Sequence, residues 1–415
     1  MEIAAAGTAP GVPGPGRAER IRLIIILGAL TAIGPLSVDM YLPALPSLTH
    51  DLAAGPSLVQ LTLTACLAGL AAGQLVAGPM SDAWGRRRPL LAGAAIYAVA
   101  SLLCAAAPDV AALIALRLVQ GAAGGAAIVI ARAVVRDLYD GTAAARFFSL
   151  LMLVTGLGPV LAPVAGGQLL RLTSWRGVFV VLTALGALMV VAALTGLRET
   201  LPAAGRRAGG LAATIRTFGR LGRDRTFAGY TLSGGLAFAA MFAYISGSPF
   251  VIQEIYHLSP QQFSLIFAVN ALGIVACSQL SAALVRRVPP RPLLGVGLAM
   301  SVTGAALLLA AVAARIGLPG VLPALWLVAA SIGLIMPNAT ALALSGRPPE
   351  LAGSASALFG VAQFVFGGAA APLVGIAGPR TTIPLAAVIA ALSVSALLAF
   401  VLLAPARAAE RPPRR

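Results

Sequence analysis

The sequence predicts an all-α integral membrane protein, with twelve membrane-crossing helices arranged as two six-helix bundles. Three observations carry that expectation. Hydrophobic residues make up 59% of the 415 and charged residues only 10%, with a mean hydropathy of +0.94. A soluble globule carries roughly 25% charge to cover its surface, so this chain lacks a polar coat. The apolar residues fall into runs near the ~20 residues a helix needs to cross the hydrocarbon core. The arginines between those runs gather on alternate loops, as the positive-inside rule requires.

Taken in order, residues 1–20 read as a disordered tail, Ala-, Gly- and Pro-rich through Gly16. Arg17, Arg20 and Arg22 then precede an apolar run that outlasts a signal-peptide core, so a first, uncleaved spanning helix is expected. Runs centre on 23–43, 58–80, 90–107, 110–131, 147–170 and 178–197 in the first half. The second half supplies 227–251, 263–285, 293–314, 318–344, 351–376 and 381–403. The gap at 198–225 is the longest and most charged. It divides a first bundle, 21–197, from a second, 226–404, with 405–415 left as a C-terminal tail.

With the N-terminus inside, the cytoplasmic loops receive Arg86–Arg88, Arg132, Arg136, Arg146, the linker arginines, Arg286, Arg287, Arg291 and Arg347. The outer loops keep Arg171, Arg176, Arg315 and Arg380. Both termini are then cytoplasmic. The net charge of +16 would otherwise suggest a nucleic-acid partner. The basic residues lie in short clusters between apolar runs instead of on one face, which argues against it.

Cys66, Cys104 and Cys277 lie inside apolar runs at unrelated spacing, and His50 and His257 fall in loops. No metal or redox pattern and no Walker loop is expected, and no cofactor is implied.

Two charges sit well inside the spanning runs: Asp39 in the first and Arg117 in the fourth. An intramembrane charge costs about 2.5–3.5 kcal/mol on insertion scales, so it normally faces a cavity or a partner. At about 1.5 Å per residue the two differ in depth by roughly one turn, which leaves a pair geometrically possible. The plainer alternative has Asp39 snorkelling to the outer interface.

The loop after the second run reads Gly78-Pro79-Met80-Ser81-Asp82-Ala83-Trp84-Gly85-Arg86-Arg87-Arg88-Pro89. Gly85 permits a tight turn and Asp82 can accept from the arginines. This spacing resembles the inner-loop signature of the major facilitator superfamily, although Ala83 and Met80 depart from it. Arg117-Leu118-Val119-Gln120-Gly121 is similar to that superfamily's fourth-helix motif. The stretch from Gly158 and Pro159 through Pro163 to Gly166 and Gly167 is similar to the fifth-helix motif of its antiporters. The run Pro35-Leu36-Ser37-Val38-Asp39-Met40-Tyr41-Leu42-Pro43 resembles the hallmark of the Bcr/CflA branch, and Arg136-Asp137-Leu138-Tyr139 and Trp175-Arg176 agree with it. The loop after the eighth run keeps its arginines but lacks the Asp and Gly.

The resemblance implies a proton-driven exporter of small amphiphilic drugs, working as a monomer in the bacterial inner membrane. Asp39 and Arg117 would handle the coupling proton, and Gly78, Asp82, Gly85, Arg86 and Arg87 the gate. It also implies a cavity lined by helices 1, 4, 7 and 10. Candidates to line it are Met40, Tyr41, Gln120, Met241, Phe242 and Tyr244, with Asn270, Met336 and Asn338 from the second half. In a chain this apolar, each of these residues is equally at home as packing. Export of an endogenous metabolite stays open, as do a membrane-embedded enzyme and a sensor.

Overall fold

The computed structural model describes residues 17–139, 141–202, 206, 218–345, 349–376, 378 and 381–404. Half of the expected linker and the whole of the C-terminal tail lie outside them. Among the described residues there are helices and no strands. In the first half, α1 is Arg17–Asp39, followed by a 3₁₀ turn at Leu42–Ala44 and a short α2 at Leu45–Asp51. Then come α3 Pro56–Trp84, α4 Arg87–Ala105, α5 Val110–Leu138, α6 Gly141–Leu169 and α7 Trp175–Gly196. In the second half, α8 is Arg225–Phe250 and runs into a π-turn at Val251–Ile255. It is followed by α9 Pro260–Leu284, α10 Pro290–Ala313, α11 Leu318–Leu344, α12 Pro349–Val374 and α13 Ile383–Leu403.

Among the described residues eleven helices are long and apolar enough to cross a membrane. The 29-residue α6 is the twelfth long helix. α1 starts inside the segment read as tail. Helix starts follow from capping: Asp109 accepts from the Ala112 amide at 2.8 Å, and Asp224 from those of Thr226 and Phe227 at 2.9 and 3.0 Å. Prolines lie within α1, α3, α6, α8, α11 and α12. Spanning helices tolerate them because neighbouring groups satisfy the freed backbone atoms.

The chain forms two compact units. One comprises Met1–Leu211 with Ile252–Ala268; the other comprises Ala212–Val251 with Val269–Arg415. In the first unit α3 lies against α5 so closely that the contact is backbone to backbone. A Cβ on Gly121 would run into the Cys66 carbonyl, on Gly125 into that of Leu70, on Gly69 into that of Leu118, and on Gly73 into that of Ala122. Small residues at this spacing let membrane helices pack closely where no hydrophobic driving force separates helix from lipid. The second unit repeats the device, since a Cβ on Gly333 in α11 would run into the Ile274 carbonyl of α9. Leu27, Leu30, Tyr97, Ile130 and Phe147 fill the first unit's core, and Phe227, Leu298, Ile335 and Phe359 the second's.

Candidate functional site

The loop between α3 and α4 is built around Arg86. Gly85 holds φ +87°, a conformation that side chains disfavour, and a Cβ there would meet the Glu199 carboxylate. The turn delivers the Arg86 guanidinium into a buried position. There Nε donates to Asp137 Oδ2 at 2.8 Å, and Nη1 donates to Ser81 Oγ at 2.8 Å and to Asp82 Oδ1. Thr200 Oγ1 adds a bond to Asp137 at 3.0 Å. Burial pushes the Arg86 pKa down, but the bonds and charges of Asp137 and Asp82 outweigh it and leave the guanidinium more strongly protonated than usual.

Glu199 caps the same turn. It accepts from the Arg86 amide at 2.8 Å, the Arg87 amide at 3.2 Å and the amides of Thr200 and Leu201 at 3.1 and 3.0 Å. Burial pushes its pKa up; the four backbone bonds outweigh that and hold it below the ordinary 4.5. Arg87 turns to the end of α7, donating to the Leu197 and Leu194 carbonyls at 2.9 Å each. Gly78 stands beside Val129 of α5. Asp82, Gly85, Arg86 and Arg87 thus share one turn, in which Arg86 bonds Asp82 while Arg87 reaches α7. Asp137 and Glu199 were not assigned to the cluster from sequence: Asp137 stood only within the Arg136–Tyr139 stretch that agreed with the resemblance, and Glu199 only as a carboxylate just beyond a spanning run.

Deeper in the first unit, Arg117 is wholly buried. Its Nη1 donates to Gln120 Oε1 at 2.6 Å, Gln120 Nε2 donates to Ser101 Oγ at 2.7 Å, and Ser101 donates to the Tyr97 carbonyl at 2.7 Å. All the protons in this chain point one way. The guanidinium lies over the rings of Tyr41 and Phe179, 5.0 and 5.6 Å from their centroids. Tyr41 bonds Thr62 at 3.0 Å, and Trp175, edge-on to Phe179, donates to Asp51 at 2.9 Å. Among the described residues the Nε and Nη2 atoms of Arg117 have no hydrogen-bond partner.

Asp39, 6% exposed, takes no part in this network and forms no hydrogen bond or ion pair among the described residues. The pair that depth alone allowed is not formed, and the reason is rotation about the helix axis. Ser37, which bonds the Tyr97 hydroxyl at 2.7 Å, is the α1 residue facing the network. Asp39 lies two residues on, about 200° around the helix. That face also carries Gly28 and Pro35, which meet Val154 and Gly158 of α6.

The α6 motif supplies close contacts of the same kind. A Cβ on Gly158 would strike Pro35, on Gly166 the Met40 carbonyl, and on Gly167 the Ser264 hydroxyl. The Gly167 carbonyl accepts from Gln261 at 2.7 Å. Pro159 and Pro163 lie within the helix.

Several expected cavity residues lie in packed interiors with their polar groups engaged. Met40, Tyr41 and Gln120 are buried in the first unit. In the second, Tyr244 accepts from Asn270 Nδ2 at 2.7 Å, and Asn338 donates to Ser281 and to the Leu334 carbonyl at 2.7 Å each. Phe242 is buried and stacks on Phe238, while Met241 and Met336 are half-buried against the second core. Among the described residues, the second unit's counterpart of the loop cluster uses no carboxylate. Arg291 instead donates to Tyr230 Oη at 3.1 Å and to the Ala404 carbonyl, and lies over Phe400.

The family model described as Major Facilitator Superfamily matches residues 27–372. An MFS-type transporter, YdgK of Bacillus subtilis (strain 168), is 39% identical over 93% of this chain and 96% of its own length. A bicyclomycin resistance protein homolog of Haemophilus influenzae is 31% identical over 91% of this chain and 94% of its own. The solved structure of the nucleoside transporter NupG shares the fold, with a TM-score of 0.76 at 14% identity over 93% of this chain and 99% of that one. With its apolar helices, these matches make the chain a multi-pass membrane transporter of small molecules and not an enzyme, and it belongs to the Major Facilitator Superfamily.

Proposed function

We propose that this transporter exports small amphiphilic drugs across the bacterial inner membrane in exchange for protons, as a monomer with both termini cytoplasmic. The observation that carries the reading is Asp39. A buried carboxylate in a spanning helix, with no bond among the described residues, can exchange a proton without first breaking a structural pair. Arginine does not release protons in proteins, so of the two intramembrane charges only Asp39 can alternate. Arg117 then acts as a positioning residue, holding Tyr41 and Gln120 through its ring contacts and Nη1 bond. The relative named for bicyclomycin resistance supports a drug over a metabolite as cargo. The Arg86 cluster, with Asp82, Gly85 and Asp137, serves as the gate-side clamp.

Everted vesicles test this. Chloramphenicol or bicyclomycin should drive proton release through the wild-type protein. Asp39→Asn should keep drug binding but lose both proton release and concentrative uptake. If Asp39→Asn still concentrates drug with normal pH dependence, the proton is carried elsewhere. If neither drug moves protons while a sugar or amino-acid derivative does, the cargo is a metabolite.

A further inference from the structure

Three phenylalanines of the second unit form a partly open aromatic cluster. Phe238 of α8 stacks on Phe242 with ring centroids 5.8 Å apart and an interplanar angle of 26°, and meets Phe364 of α12 edge-on at 6.3 Å and 90°. Glycines make the room: a Cβ on Gly367 would press on the Phe238 ring, and one on Gly235 on that of Phe366. Phe242 is buried, while Phe238 and Phe364 keep part of their surface open.

That open surface does not belong to a lipid-facing stripe. On α12 the strongly exposed apolar residues are Val365 and Leu373, which fall along one side of the helix. Phe364 lies about 100° from Val365. α8 is the most enclosed of the described spans, with 83% of its most apolar window buried. Phe238 thus keeps open surface on an enclosed helix, and Phe364 keeps its own off the exposed stripe of α12. No charged side chain bonds to the cluster among the described residues, so its recognition chemistry is that of π faces and edges alone.

We propose that Phe238, Phe242 and Phe364 form a receptor for an aryl ring, which selects substrates carrying an uncharged aromatic group. The T-shaped Phe238–Phe364 pair offers a face and an edge at right angles, and a third ring completes the offset-stacked and edge-on contacts that aromatic groups prefer. Phe242 was a candidate from sequence; Phe238 and Phe364 were not. The substrate class rests on the export reading above, but aryl binding can be measured without transport.

The test uses the full-length protein in detergent or lipid discs, with chloramphenicol as the aryl probe and bicyclomycin as the non-aryl one. Phe238→Leu and Phe364→Leu keep apolar bulk and remove the ring; Phe238→Tyr keeps the ring. Each Leu variant should weaken chloramphenicol binding by roughly three- to tenfold, leave bicyclomycin unchanged, and be matched by normal behaviour in Phe238→Tyr. Equal weakening of both drugs would reduce the rings to packing, and absence of chloramphenicol binding to wild type would overturn the receptor outright. If chloramphenicol binds through these rings yet moves no protons, the receptor stands and the antiport reading falls.

Discussion

Ser37 and Asp39, two residues apart on α1, serve opposite sides of the helix. Ser37 is joined to Tyr97 at 2.7 Å, while Asp39 stands outside the Arg117 network. Residues at this spacing do not share a helix face, so both cannot reach one partner. Asp39 and Arg117 should therefore act independently on stability. In thermal unfolding of the purified protein, the effects of Asp39→Asn and Arg117→Gln are expected to add to within about 0.5 kcal/mol. A coupling above about 1 kcal/mol would mean that the two charges pair directly.

Arg86 holds two carboxylates of unequal standing. The Asp82 side chain is 49% exposed and the Asp137 side chain 16%. An exposed pair contributes about 0–1 kcal/mol, whereas removing one member of a buried pair strands the other and costs about 3–5 kcal/mol. Asp137→Asn should thus destabilise the protein and loosen the α3–α4 loop clearly more than Asp82→Asn. Labelling of a cysteine placed at Ala83 reports the loosening. The reverse order would put the weight of the clamp on the loop motif's own aspartate.

What the sequence made legible, and what it did not, divides along physical lines. Hydropathy and length are one-dimensional, and they located the long helices with ends off by up to seven residues, as where α5 runs on to Leu138 and takes in Arg132 and Arg136. Local turn chemistry was equally readable: Gly85 adopts the positive φ its place suggested and brings Arg86 to Asp82. Rotation about a helix axis was not readable, because depth says nothing about which way Asp39 points. Nor were partners from distant segments, such as Asp137, 51 residues from Arg86, or Glu199, 113 residues away. Phe238 and Phe364 looked like any other apolar residue until the helices carrying them were seen to cross.

Glu199 gives the turn a pH dependence whose sign is fixed. Its folded pKa lies below the ordinary 4.5, so its stabilising contribution is complete above that value. The contribution is lost as pH falls through the lower folded value, where protonation releases the amides of Arg86 and Arg87. Amide hydrogen exchange at residues 86–87 should therefore be flat from pH 7 to 5, once corrected for intrinsic rates, and lose protection at lower pH. Glu199→Gln should show reduced protection throughout and no acid step. An unchanged acid step in that variant would assign the transition to another carboxylate.

A backbone-to-backbone constraint lies at Gly121, next to the Gln120 that bonds Arg117. A side chain there meets the Cys66 carbonyl, which is backbone and cannot rotate away, so α3 and α5 would have to separate. Overpacking of this kind costs about 1–3 kcal/mol even where neighbours can shift. Gly121→Ala should lower the thermal midpoint and Gly121→Leu should lower it further. Gly156→Ala, whose added Cβ meets nothing within 4 Å, should stay within about 0.5 kcal/mol of wild type. The nature of the obstacle makes a sharper test. Were the conflict with the Cys66 side chain, Cys66→Ala would relieve it; because it is with the carbonyl, Gly121→Ala should remain equally destabilising in a Cys66→Ala background. Rescue by Cys66→Ala would show that side-chain volume, and not backbone approach, sets the α3–α5 distance.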